Sequence, residues 1–301
     1  PDCRDLRAAA AGLYGVAPEA LMPVNGSDEA LYLAFRAFGG PGRRFAFPAV
    51  SYSFYPVFAA VTGTQAMPIP LRPDFSIAPA DYAGLDASIV IANPNAPTGL
   101  ALTLPQIESI LQADPDRLVI IDEAYVDFGT QSCVALTARY DNLLVTQTFS
   151  KSRSLAGARL GFAIGDPALI ADLNTVRNSV NPYNVNRMTQ AAGIAAIREN
   201  DYFMGCCQTI RKNRTDTIVQ LRAMGFTVLE SQANFVFTRC DAMPGAALYA
   251  ALRRRGVLVR HFDTPALTDW LRITIGTQDQ MAALLNTIAA ILKEECPHAN
   301  C

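Results

Sequence analysis

Histidine and paired cysteine are scarce in this sequence. Its 301 residues include only two histidines, His261 and His298, and its seven cysteines, at positions 3, 133, 206, 207, 240, 296 and 301, form no CxxC pair. Metal sites and disulfide frameworks need such clusters, so we expect no metal and interpret the cysteines as buried or incidental thiols. One histidine after an apolar run, with no evident acid partner, is weak evidence for acid–base catalysis.

Excess charge and long apolar runs are also missing. Lysine and arginine total 25 against 27 aspartate and glutamate, a formal charge of -2, which leaves no broad basic surface for nucleic acid. No apolar run approaches the length of a membrane span, and the opening PDCRDLRAAAAGLYG carries charges where a signal peptide is apolar. We therefore expect a cytoplasmic globular protein with no nucleic-acid partner and no membrane partner.

Short apolar runs alternate with helical segments over the first two thirds of the chain. The runs are RFAFPAV, SIVIA, RLVIID, NLLVTQTF and LGFAIG, and one intervening helical segment is LPQIESILQAD. This alternation predicts an α/β fold in which a mostly parallel central sheet is flanked by helices.

The remainder of the chain has a different pattern of predicted helices and strands. Helical patterns dominate from about residue 166 to 224, and a smaller mixture of strands and helices follows: FTVLES, NFVFTRC, GAALYAALRRRG, VLVRHF and LRITIG. The last helix, near 279–294, has an apolar face made of Met281, Leu284, Leu285, Ile288, Ile291 and Leu292. We predict a large domain over residues 1–205 and a small C-terminal α+β domain over 206–301.

Side chains of different chemistry follow three of the predicted strands. SIVIA leads into the turn NPNAPTG, RLVII into Asp122, and NLLVTQTF into Ser150 and Lys151. A helix also begins at NGSDE, entered through Ser27. Ligands of parallel sheets bind beyond the carboxyl ends of strands and at helix N-termini, so we expect these groups at one edge of the sheet.

Each of these residues also has an ordinary structural interpretation. An aspartate after a buried strand is commonly a helix cap or a turn residue, and the asparagines, proline and glycine of NPNAPTG are good turn formers. Arg159 could equally be an exposed cation whose stem covers apolar surface. Their shared location is the observation that favours a functional site.

The combination matches what pyridoxal 5'-phosphate requires, namely an amine for a Schiff base, an acid beside the pyridine nitrogen and a phosphate cradle. We predict that Lys151 is the amine, kept neutral by partial burial and by Arg153 and Arg159. Asp122 is the predicted acid, which keeps the ring protonated. The predicted cradle combines a helix start with two side chains: Gly26, Ser27, Asp28, Ser150 and Arg159.

These motifs resemble the fold-type I aminotransferases, and more closely the histidinol-phosphate aminotransferase family. The resemblance spans nearly the whole chain, with motifs in the family's order: NGSDE, SYSFYPVF, IPLRPDFSI, NPNAPTG, DEAYVDF, TFSKSRSLAGARLGF, QANFVF, GVLVRHF and LRITIGT. It implies a large domain that binds pyridoxal phosphate, a small C-terminal domain and a homodimer with the cofactor site at the subunit interface.

The resemblance also implies residue roles. Lys151 looks like the Schiff-base lysine and Asp122 like the pyridine partner. Tyr125 looks like the donor to the ring's 3-oxygen, and Tyr52 like the aromatic stacked on the ring. Ser27, Asp28, Ser150 and Arg159 fall on phosphate-binding positions, whereas Arg260, Arg272 and Asn234 fall where the family binds substrate.

Two features differ from the family pattern. The family often has an asparagine immediately before the Pro-Thr-Gly of the turn, where this chain has Ala96, so we expect Asn95 to substitute or Tyr125 to act alone. The opening PDCRDL resembles the part just after a family tyrosine that reaches the neighbouring subunit's cofactor phosphate, and neither that tyrosine nor the substrate-covering segment before it is among these 301 residues.

The resemblance implies transfer of an amino group between L-histidinol phosphate and 2-oxoglutarate, in histidine biosynthesis. The same fold serves threonine-phosphate decarboxylases and aromatic amino-acid aminotransferases, which stay open as alternative activities. A non-enzymatic cofactor-binding module attached to a DNA-binding domain is disfavoured, because the charge is balanced and no helix-turn-helix is evident.

Overall fold

The computed structural model describes residues 2–295, and Cys296, His298 and Cys301 lie outside this range. Within these residues, no helix has the length and apolar character needed to cross a membrane. The same part of the chain contains no group of histidine, cysteine or carboxylate side chains arranged to hold a metal ion.

A seven-stranded sheet forms the centre of the larger part of the molecule, in the order β1-β7-β6-β5-β4-β2-β3. Strand β7 is antiparallel to both of its neighbours, and the other pairs are parallel. This confirms the mostly parallel sheet. The bounds are β1 Leu21–Val24, β2 Arg44–Pro48, β3 Gln65–Ile69, β4 Ser88–Ala92, β5 Val119–Asp122, β6 Leu143–Thr148 and β7 Gly161–Gly165.

Helices cover both faces of this sheet, so the strands between them are buried on both sides. The predicted helix at NGSDE begins at Ser27, with Gly26 as its N-cap residue. The bounds are α1 Arg4–Tyr14, α2 Ser27–Phe38, α3 Tyr55–Thr62, α4 Ala80–Ala83, α5 Leu104–Gln112, α6 Pro167–Val180, α7 Arg187–Arg198 and α8 Asn200–Ala223.

A four-stranded antiparallel sheet, in the order β10-β11-β9-β8, forms the smaller part of the molecule. Its elements are β8 Phe226–Val228, β9 Phe235–Cys240, α9 Gly245–Arg254, β10 Arg260–His261, β11 Trp270–Thr274 and α10 Gln278–Glu295. The residues of α10 buried against this sheet are the six predicted from the apolar pattern.

The two sheets are joined through α8 and through a loop contact. Buried Arg214 of α8 donates hydrogen bonds to the carbonyl oxygens of Phe128, at 2.9 Å, and Ala233, at 2.5 Å. The backbone N–H of Gln232 donates to the carbonyl of Gly99 at 2.7 Å. The boundary near residue 205 stays a prediction, and that residue lies inside α8.

Candidate active site

A cavity of about 290 Å³ opens at the carboxyl ends of β4, β5 and β6. The structure brings nine of the predicted residues into its lining: Ser27, Asp28, Tyr52, Asp122, Tyr125, Ser150, Lys151, Arg159 and Arg272. The first eight come from the large sheet, its helices and the loops that connect them, whereas Arg272 reaches the cavity from β11 of the small sheet. The cavity is therefore lined by residues of both parts of the molecule.

Asp122, the last residue of β5, is a buried carboxylate, and its hydrogen-bond donors among the described residues are neutral. The Tyr55 hydroxyl donates to Oδ2 at 3.0 Å, and the Thr146 hydroxyl donates to Oδ1 at 3.2 Å. Burial outweighs these hydrogen bonds and raises the pKa of Asp122 to about 6. A cation on the cavity side of this carboxylate would supply the charge partner that burial demands.

Lys151 lies in the turn after β6, and its side chain is exposed to the cavity that it lines. Desolvation by the surrounding protein, followed by the positive charge of Arg272, lowers the pKa of Lys151, which favours the neutral amine. The Nζ atom lies 5.6 Å from the centre of the Tyr125 ring. A lysine with these properties can act as a nucleophile or as a base.

The expectation that Arg153 lies beside the lysine amine is wrong. The Arg153 guanidinium lies over the Phe149 ring, 4.8 Å from its centre, and donates to Asn200 at 2.9 Å. Position 153 lines a different cavity, because the turn directs its side chain toward α8. Arg272 is the cation that takes the expected place near Lys151, with a smaller contribution from Arg159.

The start of α2 faces Arg159. One guanidinium nitrogen of Arg159 lies 3.4 Å from Oδ2 of Asp28, and the Tyr52 hydroxyl donates to Oδ1 of Asp28 at 2.9 Å. Gly26 adopts a φ of +83°, and a Cβ atom built there would overlap the Arg159 guanidinium, so the absence of a side chain lets Arg159 pack against the helix start. A twelve-residue helix that presents free N–H groups beside an arginine is suited to holding an anion.

Two hydroxyl groups extend this anion-binding region at the end of β6. The Thr148 hydroxyl lies 2.8 Å from the Ser150 hydroxyl, and the Ser150 N–H donates to Thr148 at 3.1 Å. Both residues line the cavity. They add polar donors to the helix start and to Arg159.

Of the three predicted substrate-binding residues, Arg272 lines the cavity, whereas Arg260 and Asn234 do not. Arg272 lies over the Phe235 ring, 5.0 Å from its centre, and its buried Nε has no hydrogen-bond partner among the described residues. Arg260 is the cross-strand partner of Arg272, but it is exposed, lies 5.4 Å from the centre of the Phe262 ring, and does not line the cavity. Asn234 is partly buried outside the lining, and its carbonyl accepts from Ile275 at 2.9 Å.

Asn95, which we predicted could substitute for the asparagine that the family often has at position 96, does not line the cavity. Its amide donates to the carbonyl of Val50 at 2.9 Å and to Thr98 at 3.1 Å, and it accepts from Ser51 at 2.7 Å. These partners use the side chain to hold the turn. Ala96 and Tyr125 both line the cavity, and a role of Asn95 toward the cofactor stays a prediction.

Three residues with side chains at the site were missed in the sequence. Tyr55, Thr146 and Thr148 either bond to Asp122 or line the cavity. Period-two alternation in β6 places Thr146 and Thr148 on the same face and gives a signal for them. Tyr55 carries no local signal, because its partner lies 67 positions away in the chain.

The chain is similar to known proteins both in sequence and in structure. The sequence profile of the family described as Aminotransferase class I and II matches residues 2–288. The histidinol-phosphate aminotransferase of Brachyspira hyodysenteriae is 44% identical over 294 residues, which are 97% of this chain and 83% of the relative.

Two solved structures show the same fold at low sequence identity. The histidinol-phosphate aminotransferase of Clostridium acetobutylicum superposes with a TM-score of 0.89 at 22% identity, covering 97% of this chain and 89% of that one. The L-threonine-O-3-phosphate decarboxylase of Porphyromonas gingivalis gives 0.85 at 24% identity, covering 97% and 90%. The fold alone therefore does not distinguish the two activities.

Proposed function

The chain belongs to the class I and class II aminotransferases, and from that premise we propose that it is a histidinol-phosphate transaminase dependent on pyridoxal 5'-phosphate. The reaction reversibly transfers the amino group of L-histidinol phosphate to 2-oxoglutarate. The products are imidazole-acetol phosphate and L-glutamate. The observation that carries the proposal is the single cavity in which Lys151, Asp122 and the start of α2 meet.

The residues present fit pyridoxal phosphate in three places. Asp122 is a buried carboxylate with no salt bridge among the described residues, the Arg159 guanidinium packs against Gly26 at the start of α2, and the Lys151 amine has a lowered pKa. The cofactor supplies an aldehyde for amine exchange and an electron-accepting ring. Lys151 would bind its aldehyde carbon, Asp122 its ring nitrogen, and Ser27, Ser150 and Arg159 its phosphate.

Lys151 also serves as the proposed base. Desolvation and the charge of Arg272 favour its neutral amine, which can remove a proton from the substrate carbon that bears the amino group and later return one. Tyr125 and Tyr52 also line the cavity, where Tyr125 would donate a hydrogen bond to the cofactor and Tyr52 would offer its ring face.

Arg272 is the proposed anchor for the anionic end of the substrate. Its buried Nε lacks a partner among residues 2–295, and an oxyanion would satisfy that donor. Arg260 lies opposite it on β10, and closure of the exposed Arg260 side chain over the cavity would add a second cation. The pair would hold the phosphate of one substrate and a carboxylate of the other. Asn234, just before β9, is the proposed third contact.

We propose a homodimer in which the cavity lies at the subunit interface. Large apolar side chains are exposed in two stretches, one at α3 and one from the end of α6 to the start of α7: Phe54, Val57, Val61, Val180, Tyr183 and Met188. Asn184 donates to Glu29 at 2.6 Å, which places this second group beside the start of α2. Exposed apolar side chains of this size are common on surfaces that another protein covers, and they support the proposed interface. The cytoplasmic location expected from the sequence stays a prediction.

Product analysis with purified protein tests the function. We expect added pyridoxal phosphate and 2-oxoglutarate to allow conversion of histidinol phosphate to imidazole-acetol phosphate, with equimolar glutamate measured by mass spectrometry. Lys151→Ala should lose both the product and the visible absorbance of the covalently bound cofactor. Release of carbon dioxide from threonine phosphate, or faster turnover of phenylalanine than of histidinol phosphate, would instead support one of the alternative activities.

A further inference from the structure

Tyr55 is a fully buried tyrosine whose hydroxyl reaches the acid at the base of the cavity. It occupies the first position of α3, and its ring packs against Phe47 and Tyr52, with ring centres 5.9 and 5.5 Å away. Its hydroxyl donates to Oδ2 of Asp122 at 3.0 Å. A buried hydroxyl without a partner costs free energy, so this bond explains why a tyrosine is accommodated here.

Thr146 provides a second hydroxyl on the other carboxylate oxygen. It lies on β6 beside β5, where Thr146 and Asp122 are paired in register, and donates to Oδ1 at 3.2 Å. Each oxygen of Asp122 thus accepts one neutral hydroxyl, from α3 and from β6. Two donors from different elements fix the plane of the carboxylate, and both favour its ionised form.

We propose that Tyr55, assisted by Thr146, is a positioning residue that holds Asp122 ionised and oriented toward the cation it must pair with in the cavity. This inference rests on the proposed function, in which that cation is the protonated ring nitrogen of pyridoxal phosphate. The two hydroxyls act on the cofactor only through Asp122. Tyr55 does not line the cavity, so it is not itself a catalytic residue.

The test compares cofactor affinities of wild-type protein and variants by equilibrium dialysis. One ligand is pyridoxal 5'-phosphate, and the other is its analogue with carbon in place of the ring nitrogen. Tyr55→Phe keeps the ring packing and removes the hydroxyl. We expect its preference for the natural cofactor over the analogue to fall on the order of tenfold, since a hydrogen bond to a charged group is lost.

Two sets of controls separate positioning from general damage. Tyr82→Phe removes another buried hydroxyl, one with no partner among the described residues, and should leave the preference unchanged. Thr146→Val should lower the preference in the same direction as Tyr55→Phe, whereas Thr146→Ser keeps a hydroxyl and should restore it. If Tyr55→Phe does not fold, the Thr146 pair decides the question.

The outcomes distinguish this inference from the function on which it rests. Wild-type protein that binds neither ligand would overturn the proposed function, and the inference with it. Wild-type protein that binds the natural cofactor, with a preference unchanged in folded Tyr55→Phe and Thr146→Val, would overturn the inference alone. Equal weakening of both ligands would also overturn it, because that result is expected of a purely structural role.

Discussion

Two adjacent carboxyl groups at the end of β5 have different surroundings. Asp122 lines the cavity, whereas buried Glu123 accepts hydrogen bonds from the Cys133 N–H, the Ser132 hydroxyl and the Gln147 amide at 2.5 to 2.7 Å. Burial raises the pKa of Glu123 to about 7, and its partners hold it in the protein interior. Alternation along the strand end therefore separates a structural acid from the acid that faces the cavity.

The raised pKa of Asp122 makes the stability of the cofactor-free protein depend on pH. Because the value rises from 3.8 to about 6 on folding, the folded state binds this proton more tightly than the unfolded state. The resulting stability is present below about pH 4 and is lost as the pH rises through about 6. When the pH rises from about 5 to about 8, we expect the free energy of unfolding of wild-type protein to fall by roughly 1 kcal/mol more than that of Asp122→Asn. Urea unfolding at both pH values measures the difference. Parallel losses in the two proteins would contradict this assignment.

At the scale of elements, the start of β7 fixes the position of α2. Strand β7 begins at Gly161, where a Cβ atom would lie 2.6 Å from the backbone nitrogen of Ser27 and 2.7 Å from the carbonyl oxygen of Gln147. Both neighbours are backbone atoms and cannot rotate away. Because Gly161 has no side chain, the start of α2 can pack directly against the first residue of β7.

Gly161→Ala should move the start of α2 and weaken the anion-binding region. We expect a loss of about 1 to 3 kcal/mol in unfolding free energy, from overpacking, together with lower affinity for pyridoxal phosphate. Gly157→Ala is the matched control, since a Cβ atom there meets no atom within 4 Å. Thermal unfolding and cofactor titration measure both effects. Equal behaviour of the two variants would show that α2 is not held by this contact.

Sequence periodicity predicted the elements that carry the site better than it predicted the contacts within them. The ends of β4, β5 and β6 meet at one edge because parallel strands share a direction, so Asp122 and Lys151 were placed together correctly. The directions of side chains in turns depend on local backbone geometry, which the pattern does not contain. For that reason the place expected of Arg153 was wrong. The strands β1 and β3 were missed because each is short and contains a proline.

At the scale of the whole molecule, the exposed apolar residues make the homodimer testable. Met188, at the start of α7, is 81% exposed in the single chain, and Val219, on the outer side of α8, is 62% exposed. If a second copy covers Met188, then Met188→Asp would bury a carboxylate without a partner and should raise the dimer dissociation constant at least about tenfold, or ~1.4 kcal/mol. Val219→Asp should leave it unchanged. Light scattering over a dilution series measures both variants, and a wild-type protein that stays monomeric while it catalyses transamination would refute the proposed assembly.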